Sequence, residues 1–566
     1  MGIAGLATRL EPYAARCTYE ELQGYVAIID GPALAYFAHK TAAESQSTGL
    51  PSYADINATA LRWLDHLESS GIKVSAILFD GALPPSKQDE RSSRLLQMVK
   101  RVTQFHSMHA NVGCPIPSQL GSVAYPFLAP SLREALSLST FSHSVRVVPG
   151  EADDWCASHA QNHPRSIVFT SDTDLLLYDY PEDVLINFLK ESDSGSAASL
   201  KVYSPSRICQ QLDLKSLVQL AYAIQNDRWK TLANNVKDAR LHHDEKLFID
   251  FRKRYRDEVS APALISREPR LLSSLQPLDA RVSEFVVQSL SAATGEPSLT
   301  LPVFLPLLLE DPFRASAWTF GQNVRLVAYS LLAPARVTVQ EHMRKAQAVS
   351  VQDVHLYGPE NIISIAAGLS RKLGRSYGDG SFSPARRWML CAVELALDTL
   401  KPPHISLLAR VVTGTFDNTW AFVHLQACLH AMLYSLRMLK QCAAVWLALN
   451  EGISLAVTKD QIQTISDLHH KLETLPPLAE LFTIPGQKLK ERPEDAGLLG
   501  VLKHIYFSAG IADEELFQEA KSKKQRKREK RNARAQAKVE APKEKPASSN
   551  VFSLLGPGIW KGSSEV

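Results

Sequence analysis

At 566 residues the chain is long for one core, so two domains and a tail are the natural expectation. Its 45% hydrophobic content is that of a globular protein. The net charge of +3 hides an asymmetry: ten Lys/Arg against one acid between Lys521 and Lys538 leave the remaining body at −6, so the folded part is no general electrostatic sponge for nucleic acid.

The chain opens Met1-Gly-Ile-Ala-Gly-Leu6, with no basic segment followed by an apolar one, and no uninterrupted apolar run reaches the roughly 18–20 residues that cross a bilayer, so no membrane association is expected. Leu6 stands where Ser or Thr would favour myristoylation of Gly2. Tyr25-Val-Ala-Ile-Ile29 then closes on Asp30, and Val74-Ser-Ala-Ile-Leu-Phe79 closes on Asp80. Val145-Arg-Val-Val-Pro-Gly150 leads to Glu151 and Asp153, which open a helix, and Ile167-Val-Phe-Thr-Ser171 leads to Asp172 and Asp174. Each run is short, apolar and bounded by polar residues, as in strands buried on both faces of a parallel sheet. The ligand crevice of such a sheet lies outside the carboxyl ends of its strands, so four strand ends deliver acids to one edge. Asp also caps helices and starts turns, but capping does not call for the doublets Glu151-x-Asp153 and Asp172-x-Asp174. A single-sign cluster of carboxylates repels itself unless divalent cations neutralise it, and hard oxygen donors suit Mg²⁺ or Mn²⁺.

After Phe79-Asp80-Gly81, the residues Lys87, Arg91 and Arg94 fall on roughly one side of a helix at i, i+4 and i+7, the spacing also of an ordinary solvated face. From about 240 to 510 the sequence reads as helices, for example over the apolar stretches Val324–Leu332, Arg387–Leu397 and Phe422–Leu436. His404, His424 and His430 are too scattered for a metal site. Seven cysteines (Cys17, Cys114, Cys156, Cys209, Cys391, Cys428, Cys442), never spaced Cys-x-x-Cys, imply a reducing compartment and no zinc site. The basic run Lys521–Lys538 has three readings: a nuclear localisation signal, an RNA-contacting arm, or a solvated helix extension. Beyond it Ala541–Asn550 is linker-like, and Val551-Phe-Ser-Leu-Leu-Gly-Pro-Gly-Ile-Trp560 is a short apolar island, either a docking peptide or a segment that folds back on the body.

The opening Met1–Leu6, Asp30-Gly-Pro-Ala-Leu-Ala-Tyr36, Phe79-Asp80-Gly81, Gly150-Glu151-Ala-Asp153-Asp154 and Ser171-Asp172-Thr-Asp174 together resemble the flap endonuclease/XPG structure-specific nucleases, in the family's order, over roughly the first 235 residues. The divergent second half makes the Asteroid-like proteins the nearest subgroup by resemblance. The resemblance implies two Mg²⁺ (or Mn²⁺) ions, one held by Asp30, Asp80, Glu151 and Asp153, the other by Asp172, Asp174 and Asp227. Two such ions about 4 Å apart activate a water and stabilise the leaving oxygen of an in-line phosphodiester displacement. It also places Lys87 and Arg94 as catalytic cations that stabilise charge on the scissile phosphate, within a gateway-like segment over 87–140. Gly2, Tyr36, Arg91, Lys100 and Arg101 become nucleic-acid contacts; Tyr36 reads equally as a core tyrosine or as a platform for base stacking, worth about 1–3 kcal/mol per base. One departure is clear: Leu220–Trp229 resembles the segment of the last metal ligand, Asp227, but Lys230–Asp238 lacks the glycine-rich helix-two-turn-helix through which the family grips duplex backbone.

The expected architecture is an α/β domain of PIN/XPG type with a central, mostly parallel sheet (1–235), an all-α domain (236–515) and a basic, mostly disordered tail (516–566). The expected activity is metal-dependent, structure- or end-selective hydrolysis of DNA or RNA, in the nucleus, with a role in DNA repair. Its rival is a weakly catalytic or inactive nuclease-fold scaffold for protein or RNA, with a protein partner reached through the helical domain or through 551–560. A phosphatase of small molecules would leave Lys87, Arg94 and the gateway-like segment without a purpose.

Overall fold

The apolar runs that end in acids form the central sheet. In a computed structural model that describes residues 2–46, 49–84, 87–191, 199–241, 246–255, 273–293, 300–375, 382–450, 457–487, 497–511 and 516, strands β2 (Val26–Asp30), β3 (Lys73–Phe79), β4 (Val145–Val147), β5 (Ser166–Thr170) and β6 (Leu185–Phe188) pair in the order β4-β3-β2-β5-β6, all parallel. A short antiparallel pair, β1 (Ala15–Thr18) with β7 (Ser199–Val202), lies outside this sheet.

Alternate side chains of a strand leave by opposite faces, so both faces of this sheet need cover. On one face Ile28, Ala76, Leu78 and Val168 pack with Leu6 and with the helices Ala152–Gln161 and Leu217–Asn226. On the other, Phe169 meets Trp63 of the helix Tyr53–Ser69 edge-on at 5.2 Å, and Trp63 in turn meets Phe37 of the helix Gly31–Ser45 at 5.5 Å. With β2 central and its neighbours β3 and β5 reached by separate crossovers, the chain direction reverses outside the carboxyl end of β2. That is where a doubly wound sheet opens a crevice.

The second half is helical, as expected, around one element. The helix Trp420–Asn450 spans 31 residues and is buried on almost every side, so Gln322–Leu332, Pro384–Ala396, Ile405–Thr413 and Lys459–Glu473 surround it. The all-α expectation is corrected over 300–355, where β8 (Thr300–Phe304), β9 (Thr338–Lys345) and β10 (Ala348–His355) form a three-stranded sheet in the order β10-β9-β8. β9 alternates half-buried and buried residues, a period of two that polar side chains conceal in a hydrophobicity reading. Its buried Glu341 and Arg344 are paired, with Arg325 Nε donating to Glu341 Oε1 at 2.6 Å and Arg344 Nε to Glu310 Oε1 at 2.6 Å.

Residues 1–516 make one compact unit. The first half and the later residues interlock within it: Arg437 donates to Asp279 at 2.8 and 2.9 Å and to Glu134 at 2.9 Å, and Phe127 stacks on Tyr434 at 4.6 Å. Among the described residues no helix is long and apolar enough to cross a membrane. The basic run Lys521–Lys538 and the island Val551–Trp560 lie outside the described residues.

Candidate active site

Outside the carboxyl edge of the sheet lies a cavity of about 450 Å³. Five acids from four strand ends line it: Asp30, Asp80, Glu151, Asp153 and Asp172. Three of them accept backbone N–H groups at the starts of neighbouring elements. Asp30 caps the helix Gly31–Ser45, its Oδ1 accepting from the Ala33 N–H at 3.1 Å, while Oδ2 accepts from the Thr170 hydroxyl at 2.8 Å. Asp80 Oδ1 accepts from the Ala152 N–H at 2.8 Å, which ties the end of β3 to the helix that carries Asp153. Asp172 Oδ1 accepts from the Asp174 N–H at 3.0 Å. The approach of β3 to β4 depends on Gly81, since a Cβ there would lie 1.9 Å from the Val148 carbonyl oxygen.

Crowding like charges out of water disfavours their ionised forms. Burial, reinforced by Asp80 and Asp172 and opposed by the Ala33 and Thr170 hydrogen bonds, pushes Asp30 up to about 7. Asp153 is held well above the ordinary carboxylate range, by burial first and then by Asp30, Asp172, Asp80 and Glu151. Burial also raises Asp80, against the Ala152 N–H and the charges of Arg91, Lys87 and Arg94, and raises Glu151 against Lys87.

Four of the predicted cations and aromatics share the cavity wall: Tyr36, Lys87, Arg91 and Arg94. Tyr36 is 54% exposed, so it is no core tyrosine. Lys87 Nζ stands 2.6 Å from Glu151 Oε1. Burial works against its charge, but Glu151, Asp153 and Glu90 outweigh it and hold the ammonium above its usual range. Arg94 pairs with Glu90 one turn earlier, and its Nε is buried with no hydrogen-bond partner among the described residues. Lys100 and Arg101 lie exposed farther along the helix Gln88–His109 and do not line the cavity; Arg101 donates to the Leu120 carbonyl at 3.1 Å.

The other predicted residues fall in two places. Asp174 sits beside Asp172 behind the cavity, accepting from the Ile3 N–H at 3.0 Å and from the Tyr255 hydroxyl at 3.2 Å; burial and Asp172 raise it. Gly2, at φ 50°, is pressed against this pair: a Cβ on it would lie 2.5 Å from Asp172 Oδ1 and 2.6 Å from Asp174 Oδ1. Asp227 lies apart. It ends the helix Leu217–Asn226, accepts from the Trp229 N–H at 3.0 Å, and lines a second cavity of about 130 Å³ with Tyr222, Lys230 and Asp238.

The cavity also takes walls that no local sequence signal announced. Leu278–Arg281, Phe304–Leu307 and Tyr434 line it from the second half of the chain, together with Arg133. All-carboxylate donors, raised by burial and by one another, are the hard anionic set that suits Mg²⁺ or Mn²⁺. Among the described residues no three of these donors stand close enough to one another to hold an ion as they are placed, so holding one requires carboxylate side chains to turn inward.

A family described as XPG domain containing matches residues 124–356, a stretch that includes Glu151, Asp153, Asp172, Asp174 and Asp227 and begins after Asp30 and Asp80. No curated protein matches the chain. Among solved structures, the catalytic core of Rad2 aligns over 46% of this chain and 88% of that one at 15% identity with a TM-score of 0.26. Human GEN1 in complex with Holliday junction DNA aligns over 52% and 81% at 14% identity with a TM-score of 0.31. The family match supports a place in the flap endonuclease/XPG superfamily, and the fold is an XPG/PIN-like α/β fold with a helical region.

Proposed function

We propose that this XPG-fold chain is a divalent-metal-dependent phosphodiesterase that cleaves DNA or RNA at particular structures or ends. The observation that carries the reading is the arrival of five carboxylates, from four strand ends, in one cavity whose wall carries Lys87 and Arg94. Asp30, Asp80, Asp153 and Asp172 would hold the metal, with Glu151 and Asp174 next to them. When bound, such cations neutralise the cluster and supply Lewis acidity toward the phosphate.

The chain's own groups do the rest. Lys87, paired with Glu151, would turn its ammonium to a non-bridging phosphate oxygen, and Arg94, on the same wall, would follow. Tyr36, exposed at the same wall, offers a face for a base. Water adds to phosphorus, the opposite P–O ester bond breaks, and the leaving oxygen takes up a proton; no bond to the enzyme forms.

A scaffold that binds nucleic acid or protein without cleaving is the second reading. It is favoured by one observation, that no three acids among the described residues converge as they stand. Purified protein offered flap, bubble, single-stranded and RNA substrates with Mg²⁺ or Mn²⁺ decides between them. The phosphodiesterase reading expects at least one to be cleaved, and folded protein that cleaves none leaves the scaffold. Membership of the Asteroid-like subgroup and a role in DNA repair are proposed on the sequence alone, as are nuclear import through Lys521–Lys538 and a protein partner for 551–560.

A further inference from the structure

Arg91 lines the cavity from the helix Gln88–His109, yet its guanidinium is given to a carboxylate from the second half of the chain. Its Nη1 donates to Glu284 Oε1 at 2.8 Å and to Oε2 at 2.7 Å, and Glu284 belongs to the helix Ala280–Ala293. The pair is largely out of water, with side chains 19% and 8% exposed. The guanidinium carbon lies 5.4 Å from the centre of the Phe304 ring, another wall of the cavity. Nε and Nη2 of Arg91 have no hydrogen-bond partner among the described residues.

Carboxylates and phosphodiesters present the same pair of anionic oxygens to an arginine fork. Glu284 gives both its oxygens to Nη1 alone, so it takes up one nitrogen and the charge of Arg91 that a substrate phosphate would otherwise use. Arg281, one turn earlier on the same helix, also lines the cavity and is close enough to favour the ionised form of Glu284. Removal of Arg91 would thus not leave the Glu284 charge without a cation.

We infer that Glu284 is a positioning residue that holds Arg91 at the cavity wall in place of a phosphate and releases it when a nucleic-acid phosphate enters. The inference rests on the reading of this cavity as a nucleic-acid site. Because Glu284 competes with substrate, it weakens binding and confines tight contact to strands that reach the wall between the two halves of the chain.

The test uses the full chain and a fluorescent single-stranded DNA oligonucleotide, with binding read by anisotropy in EDTA over a salt series and cleavage read in Mg²⁺. Glu284→Gln frees Arg91, so binding should tighten by about threefold or more at low salt and the salt slope should steepen by close to one phosphate contact. KM should fall by more than kcat changes. Glu284→Gln combined with Arg91→Ala should bind as Arg91→Ala alone does. A merely structural Glu284 would instead give a lower Tm and weaker binding, and either that result or an unchanged affinity and slope overturns the inference. If Glu284→Gln does not fold, Glu284→Asp, which withdraws the carboxylate by one methylene, must show the same direction of change. Wild type that binds this oligonucleotide without cleaving it leaves the phosphodiesterase reading to the flap, bubble and RNA substrates, while the binding comparison still decides this one; absence of binding by both wild type and Glu284→Gln overturns this inference.

Discussion

Lys87 and Glu151 meet at 2.6 Å and join the starts of two helices, Gln88–His109 and Ala152–Gln161, across the edge of the acid cavity. A cation at a helix N-terminus opposes the helix dipole. Glu151 offsets that conflict, and the pair keeps an ammonium beside the carboxylates without burying it in them.

Lys87→Met should therefore do two things. It removes the cation proposed for the phosphate, and it leaves Glu151 desolvated and unpaired, so single-turnover cleavage should fall by about 10²–10³-fold. Lys87→Arg should keep part of the rate. A Lys87→Met protein with the wild-type rate would show that the lysine serves the ion pair alone.

The acid cluster predicts an unusual pH dependence for metal-free protein. Asp30 at about 7 and Asp153, well above its ordinary range, bind protons more tightly folded than unfolded. The folded state then holds more protons between the unfolded value near 4 and the raised folded values, and stability falls as pH rises through that window. Asp153→Asn removes one such charge. In EDTA its Tm advantage over wild type should grow from pH 5 to pH 8 and shrink when Mg²⁺ is added; a constant deficit at both pH values would contradict the mutual repulsion.

Gly2 has a different role from the buried glycines. At φ 50° its missing Cβ leaves room for Thr173 Oγ1, 2.1 Å from where that atom would be, and for the Asp172 and Asp174 carboxylates. Gly2→Ala should displace those acids by close to an ångström and cost up to about 10²-fold in rate, with a Tm loss limited to the roughly 1 kcal/mol of a left-handed alanine and local crowding. Equal loss of stability and rate would mean that the segment holds the fold rather than the site.

How much of this was legible in the sequence depends on range. Asp30, Asp80 and Asp172 could be placed because a strand buried on both faces writes a continuous apolar run whose end is at the sheet edge by construction, and Asp153 because the turn after β4 opens a helix there. The three-stranded sheet over 300–355 was not legible: β9 buries Glu341 and Arg344 in ion pairs, so its alternation is not one of hydrophobicity. Glu284 and Arg281 gave no local signal at all, since only tertiary packing brings Ala280–Ala293 to the cavity. Asp227 depends on where one helix stops, and the turn to Trp229 directs it to the second cavity.

The same packing makes the two halves interdependent. Arg437 donates to Asp279 and to Glu134; Arg437 and Asp279 are buried and Glu134 is half-buried. Arg437→Ala leaves buried Asp279 with Arg133 alone, 3.7 Å away, and half-buried Glu134 without its cation, and should cost about 3 kcal/mol, seen as one large fall in Tm for the whole unit. A fall of less than about 1 kcal/mol, the scale of an exposed pair, would show that water already reaches this network.

The most direct test of the account is single-turnover cleavage of an end-labelled oligonucleotide by wild type and by Asp153→Asn, in Mg²⁺ and in EDTA. The account predicts cleavage by wild type in Mg²⁺, none in EDTA, and a fall of about three orders of magnitude for a folded Asp153→Asn protein. Equal cleavage by the two proteins, or cleavage that EDTA leaves untouched, would contradict it.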